Sequence, residues 1–162
     1  MGLDMFLELR KHEYQSAFYK TKNCTIKLTF PKELKDFFGD CAESVTRDTS
    51  YQVGYWRKAN AIHNWFVTNC AQGVDDGSTM IVSAEKLKDL LDLCNMVLKD
   101  PSTAAELLPT KAGFFFGSTD YDEVYFEKLK STVKILEPVI RFLDTKTNKG
   151  DSSWTAEYSA SW

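Results

Sequence analysis

Alternation of apolar and polar residues is the first pattern in the chain. Leu3, Met5, Leu7 and Leu9 alternate with Asp4, Phe6 and Glu8, which predicts a strand with one buried face. Arg10 to Lys22 has no such clear period and fits either a second strand or a loop. Thr25 to Phe30 alternates again, with high β propensity, and predicts another strand. Pro31 then opens a short helix, Lys32 to Phe38, that Gly39 ends. Cys41 to Ser50 is polar and reads as a loop or frayed turn. From Val53 to Cys70 the spacing predicts the central helix, with Gly54 moving its true start a residue or two later. Tyr55, Ala59, Ile62 and Phe66 form its apolar stripe, and Trp56, Asn60 and His63 stack on the flank at i, i+4, i+7.

The second half is clearer. Gln72 to Ser78 is a loop, and Thr79 to Val82 is long enough only for a brief strand. Ser83 caps a helix with Glu85 in its first turn and Leu87, Leu90, Leu91, Cys94, Val97 and Leu98 on its apolar face. Asp100-Pro101 opens a short helix to about Leu108, stopped by Pro109. Gly113 to Gly117 contains a run of three Phe residues and reads as a short buried strand or a packed loop. Ser118 or Thr119 is placed to cap the next helix, whose buried face is Phe126, Leu129, Val133, Leu136 and Ile140. Pro138 inside that pattern predicts a kink or an early end. A polar turn, Thr145 to Ser153, leads to an alternating terminal strand, Trp154 to Trp162, which is expected to pair with the N-terminal strand. The sum is an α+β fold in a single domain, residues 1–162, with three or four helices on a small antiparallel sheet that includes both chain termini.

Composition narrows the classes. The chain has 162 residues, 43% apolar, 27% charged and 14% aromatic, which is globular rather than disordered. A net charge of −3 supplies no global basic field, so neither nucleic acid nor an anionic membrane is an expected partner. Cys24, Cys41, Cys70 and Cys94 are widely and irregularly spaced, and only two histidines accompany them. They read as reduced thiols rather than a zinc site. Met1 to Phe6 lacks the basic and apolar segments of a signal peptide, and no stretch approaches the roughly 18 apolar residues of a membrane span. A cytoplasmic location is therefore expected.

Two stretches could carry chemistry. On the first, Arg57 offers a fixed fork of donors for phosphate or carboxylate. Trp56 offers a ring face, and Asn60 and His63 read polar edges. The bland alternative is that Trp56 and His63 belong to the core and Arg57 pairs with an acid of the protein. The second stretch is Phe116, Ser118, Thr119, Asp120 and Tyr121, where a Gly-Ser-Thr turn feeds a helix. Its alternative is a helix cap, since Asp120, Asp122 and Glu123 would repel a phosphate there. Arg57 paired with Asp120 or Asp122 would join the two stretches into one site. No cofactor, metal or catalytic motif is expected: Asp120-x-Asp122 lacks the rest of a calcium loop, and P-loop, dinucleotide and hydrolase signatures are missing. A Cys–His pair using His63 has no supporting motif.

Met1-Gly2-Leu3-Asp4-Met5, Tyr55-Trp56-Arg57-Lys58-Ala59-Asn60-Ala61-Ile62-His63, Gly113 to Asp122 and the closing Ala160-Ser161-Trp162 resemble a family of small phage- and prophage-encoded proteins. The resemblance spans most of the chain, with Phe6 where similar proteins often have tyrosine. It implies a host-cell cytoplasmic setting, and no catalytic residues come with it. Small acidic phage proteins without enzyme motifs often act in counter-defence. The leading expectation is a non-enzymatic protein that sequesters a small anionic, nucleotide-like ligand. Its alternatives are an inhibitor or adaptor that binds a host protein, and a phosphodiesterase or nucleotide hydrolase with His63 as general acid or base. A homo-oligomer with the pocket at a subunit interface is compatible with all three.

Overall fold

The computed structural model describes residues 2–16 and 44–162, together with Lys27 and Lys32. The strand and short helix expected between Thr25 and Phe38 otherwise lie outside the described residues. Strand β1 is Asp4–Ser16 and β2 is Ser44–Arg57. Helix α1 is Asn60–Cys70, β3 is Met80–Val82 and α2 is Ala84–Lys99. A 3₁₀ turn at Pro101–Thr103 runs into the single-turn α3, Ala104–Leu107. The long helix α4, Glu123–Asn148, and β4, Trp154–Ser161, complete the chain.

All neighbouring strands are antiparallel, in the order β2-β1-β4-β3, so both ends of the chain lie in one sheet, as expected for this α+β fold. One face is apolar because the alternation of β1 places Leu3, Met5, Leu7 and Leu9 inward. Across the ladder Leu7 meets Gly54 on one side and Tyr158 on the other, and Tyr158 meets Met80. The opposite face mixes polar pairs, Arg10 on Glu157 at 3.2 Å and Ser50 on Glu8 at 2.6 Å, with the Phe6–Tyr55 ring pair. Helices α2 and α4 pack together over the apolar layer, and Leu87, Leu90, Cys94, Val97, Leu129 and Leu136 fill the space with no exposure. Among the described residues no helix is long and apolar enough to cross a membrane.

Three sequence expectations change. Ser44 to Arg57 is a strand, not a loop followed by a helix, so Tyr55, Trp56 and Arg57 precede the helix. A bulge opposite Leu7 and Glu8 explains part of this: Leu7 pairs with Gly54 and Glu8 with Gln52, leaving Val53 as the extra residue. Beyond the bulge the face shared with Trp56 and Gly54 passes to Tyr51, which is itself exposed, and this breaks any strict period of two. Gly54 is needed because a Cβ at that position would meet Ile135 Cγ2 at 2.8 Å, where α4 crosses closely. Second, α4 is capped by Asp122, which accepts from the Tyr125 amide at 2.9 Å, and not by Ser118 or Thr119. Third, α4 continues through Pro138. The proline is exposed, so water can serve the carbonyl it frees, while Leu136, Val139 and Ile140 stay buried and hold both sides. The expected caps at Ser83 and Asp100 and the loop at Gln72 to Ser78 are present.

Candidate functional site

The turn from β2 into α1 sets the geometry of the region. Lys58 takes a left-handed φ of 54°, and its amide donates to the Leu3 carbonyl at 2.7 Å. This reverses the chain in two residues, and α1 starts at Asn60 behind Ala59, whose side chain offers no cap. The first intrahelical bond runs from the His63 amide to the Ala59 carbonyl, 3.0 Å. The amides of Asn60, Ala61 and Ile62 therefore have no acceptor among the described residues, although all three residues are buried.

These three residues line an open cavity of about 320 Å³ between the start of α1, the 117–122 segment and the first turns of α4. Arg57, Lys58 and Lys128 bring three cations to its wall; Asp120 and Asp122 lie in the same wall. Val124, Tyr125 and Leu129 form an apolar floor. The two acids already have partners: Asp122 caps α4, and Asp120 accepts from Ser118 Oγ at 2.8 Å. Tyr125 donates its hydroxyl to the Leu108 carbonyl at 2.9 Å, and burial pushes its pKa up, so it stays neutral.

The predicted residues divide sharply. Arg57, Asn60, Ser118 and Asp120 meet at this cavity. Arg57 is exposed, and its nearest acid is Asp4, with Nε at 3.9 Å from Oδ1, rather than Asp120 or Asp122. The Asn60 side chain is fully engaged. Nδ2 donates to the carbonyls of Phe116 and Ser118 at 3.1 and 2.7 Å, and Oδ1 accepts from the Lys111 amide at 3.2 Å. It is a clamp on the 111–118 segment. Thr119 and Tyr121 tie that segment to Thr110, by the Thr119 carbonyl at 2.9 Å and the Tyr121 hydroxyl at 3.3 Å.

Trp56, His63 and Phe116 lie inside the protein and do not form the expected flank. Trp56 is 2% exposed and donates Nε1 to Thr132 Oγ1 at 2.8 Å, pinning β2 to α4. His63 is 1% exposed, with Nδ1 2.7 Å from the Tyr158 hydroxyl and Nε2 3.1 Å from Asp75 Oδ2. The carboxylate only accepts, so Nε2 donates to Asp75. Burial holds the Tyr158 phenol well above its usual pKa, with a further push from the Asp75 charge. Phe116 stands edge-on to His63 at 5.3 Å, and Trp162 covers the same ring at 5.5 Å. The imidazole is thus enclosed by rings and bonded at both nitrogens. Cys94 is fully buried, and burial pushes its thiol up to about 12. Among the described residues no cluster of His, Cys, Asp or Glu is arranged to hold a metal ion.

Sequence reasoning missed Lys58 and Lys128, the latter sitting on a helix read only for its buried face. It also missed Asp75, Tyr158 and Thr132, the partners that seal His63 and Trp56. The fold and site together define a two-layer α+β domain with a cation-flanked cavity at an uncapped helix start. No protein-family model, no curated protein and no solved structure matches the chain.

Proposed function

We propose that the protein binds a small anionic molecule, without catalysis, in the cavity at the start of α1. One observation carries the reading: the buried residues Asn60, Ala61 and Ile62, whose amides have no acceptor among the described residues, line a cavity flanked by Arg57, Lys58 and Lys128. An anion there gains the helix dipole, free donors and neighbouring positive charge at once. Val124, Tyr125 and Leu129 accommodate an apolar or ring-bearing body, so a phosphate on a nucleoside-like framework suits the space. In the phage setting that the resemblance implies, this would be sequestration of a nucleotide signal. The ligand contacts assigned by this reading are Arg57, Lys58, Lys128 and the first-turn amides. Trp56, His63 and Phe116 hold the frame.

Calorimetric titration against nucleoside monophosphates, cyclic nucleotides, ADP-ribose and inorganic phosphate tests it. Saturable heat with at least one phosphate compound, weakened about tenfold or more in Arg57→Ala and in Lys128→Ala, is expected. No heat with any of them, or affinity indifferent to both substitutions, removes the reading.

A further inference from the structure

The cavity at the start of α1 carries charges of both signs. Arg57, Lys58 and Lys128 share its wall with Asp120 and Asp122, yet among the described residues none of the three cations forms an ion pair with either acid. Each carboxylate is fixed through one oxygen only. Asp120 Oδ2 accepts from Ser118 Oγ at 2.8 Å, and Asp122 Oδ1 accepts from the Tyr125 amide at 2.9 Å. Asp120 Oδ1 and Asp122 Oδ2 have no partner among the described residues. Both residues are exposed, so water serves these oxygens in the free protein. A ligand that displaces the water has to bring donors of its own.

Charge balance sets how much anion this wall accepts. Three cations against two carboxylates leave one net positive charge. The starts of α1 and α4 both border the cavity and add about half a charge each. A phosphate monoester carries about −1.5 to −2 near pH 7, so a single phosphate group matches the wall. A second or third phosphate would put surplus negative charge beside Asp120 and Asp122. A ligand with its own ammonium would leave the cations under-neutralised. The donors that the two acids need are therefore neutral, and hydroxyls donate without adding charge. A volume of about 320 Å³ is at the small end for small-molecule sites, which suits one phosphate on a body no larger than a nucleoside.

We propose that the cavity selects a ribose-type monophosphate, with its one phosphate on the first-turn amides of α1 and its sugar hydroxyls donating to Asp120 Oδ1 and Asp122 Oδ2. This rests on the anion reading of the same cavity and adds to it the class of molecule that is chosen. Asp120 and Asp122 are then specificity residues with two effects. They favour a hydroxyl-bearing body, because a hydroxyl bond to a carboxylate is charge-assisted. They disfavour polyphosphates, because like charges in one cavity repel. Val124, Tyr125 and Leu129 stay available to a base or other ring on the sugar.

Calorimetric titration with inorganic phosphate, AMP, UMP, their 2′,3′-dideoxy forms and the matching triphosphates tests the proposal. AMP, UMP or both are expected to bind about tenfold or more tighter than the dideoxy form and the triphosphate of the same base. Asp120→Asn keeps the bond from Ser118 and turns the spare oxygen into a donor, and Asp122→Asn keeps a good helix cap. In each, with melting temperature checked against wild type, inorganic phosphate is expected to bind about threefold or more tighter while the dideoxy penalty shrinks. A merely structural role would not move these two affinities in opposite directions. Should both variants be destabilised, the wild-type comparison of hydroxylated, dideoxy and triphosphate ligands decides alone. Dideoxy forms as tight as their parents, triphosphates as tight as monophosphates, or an unchanged preference in the folded variants would each overturn the proposal and leave the anion site standing. Failure of inorganic phosphate and every nucleotide to bind would remove both.

Discussion

The first and second turns of α1 make an instructive pair. Both carry polar groups, and both are buried. In the second turn His63 is bonded at both ring nitrogens, to Tyr158 and Asp75, and closed over by Phe116 and Trp162. In the first turn the amides of Asn60, Ala61 and Ile62 have no acceptor among the described residues, and the three residues line a cavity with three cations beside it. The residue types alone would rank the two the other way, because imidazoles do chemistry more often than backbone amides. Partner accounting reverses the ranking: a buried group with all its partners holds structure, and a buried group without them waits for something.

That contrast can be broken by substitution, and the largest effects belong to the sealed side. Trp56→Ala should cost about 3–5 kcal/mol in urea denaturation, since it empties a core position and leaves Thr132 without its donor. A cost under about 1 kcal/mol would show that Trp56 is not core. Asn60→Ala should cost about 2–3 kcal/mol and speed hydrogen exchange at Lys111, because it unties three backbone groups of the 111–118 segment. Unchanged exchange there would deny the clamp. Tyr158→Phe should cost about 1–2 kcal/mol, since the buried His63 Nδ1 loses its hydrogen-bond partner; a neutral result would mean the bond contributes nothing net. Arg57→Ala sits at the other extreme. Stability should change by less than about 0.5 kcal/mol, its one acid partner among the described residues lying 3.9 Å away on an exposed surface, while anion affinity falls about tenfold or more. If Arg57→Ala destabilised the fold as much as Asn60→Ala, the two turns would not differ in the way described.

Legibility of the fold from sequence followed burial. Where one face is buried and the other wet, as in β1, α2 and β4, the period was plain and the elements were found, including the pairing of both chain ends. Where both faces are wet the signal vanished: the half of β2 from Ser44 to Ser50 is almost entirely exposed and polar, so it resembled a loop. The other half failed because the bulge at Val53 and the buried Gly54 disrupt alternation, while Tyr55, Ala59, Ile62 and Phe66 mimic a helical stripe across a strand–turn–helix junction. Of the candidate site, the neighbourhood was legible and the roles were not. Arg57, Asn60, Ser118 and Asp120 do converge. The sealing of His63 depends on Asp75 and Tyr158, which are 12 and 95 positions away, and no local pattern announces that. The free amides have no side-chain signature at all, apart from an alanine where a capping residue would stand.

The most direct measurement is a phosphate titration followed by amide nuclear magnetic resonance. If the first turn of α1 is the anion site, the amide signals of Asn60, Ala61 and Ile62 move together along one saturable isotherm, while the His63 ring and the Tyr158 hydroxyl stay where they are. Amides of Asn60 to Ile62 that remain still at saturating phosphate, or that move only as part of a change spread over the whole sheet, would contradict the account.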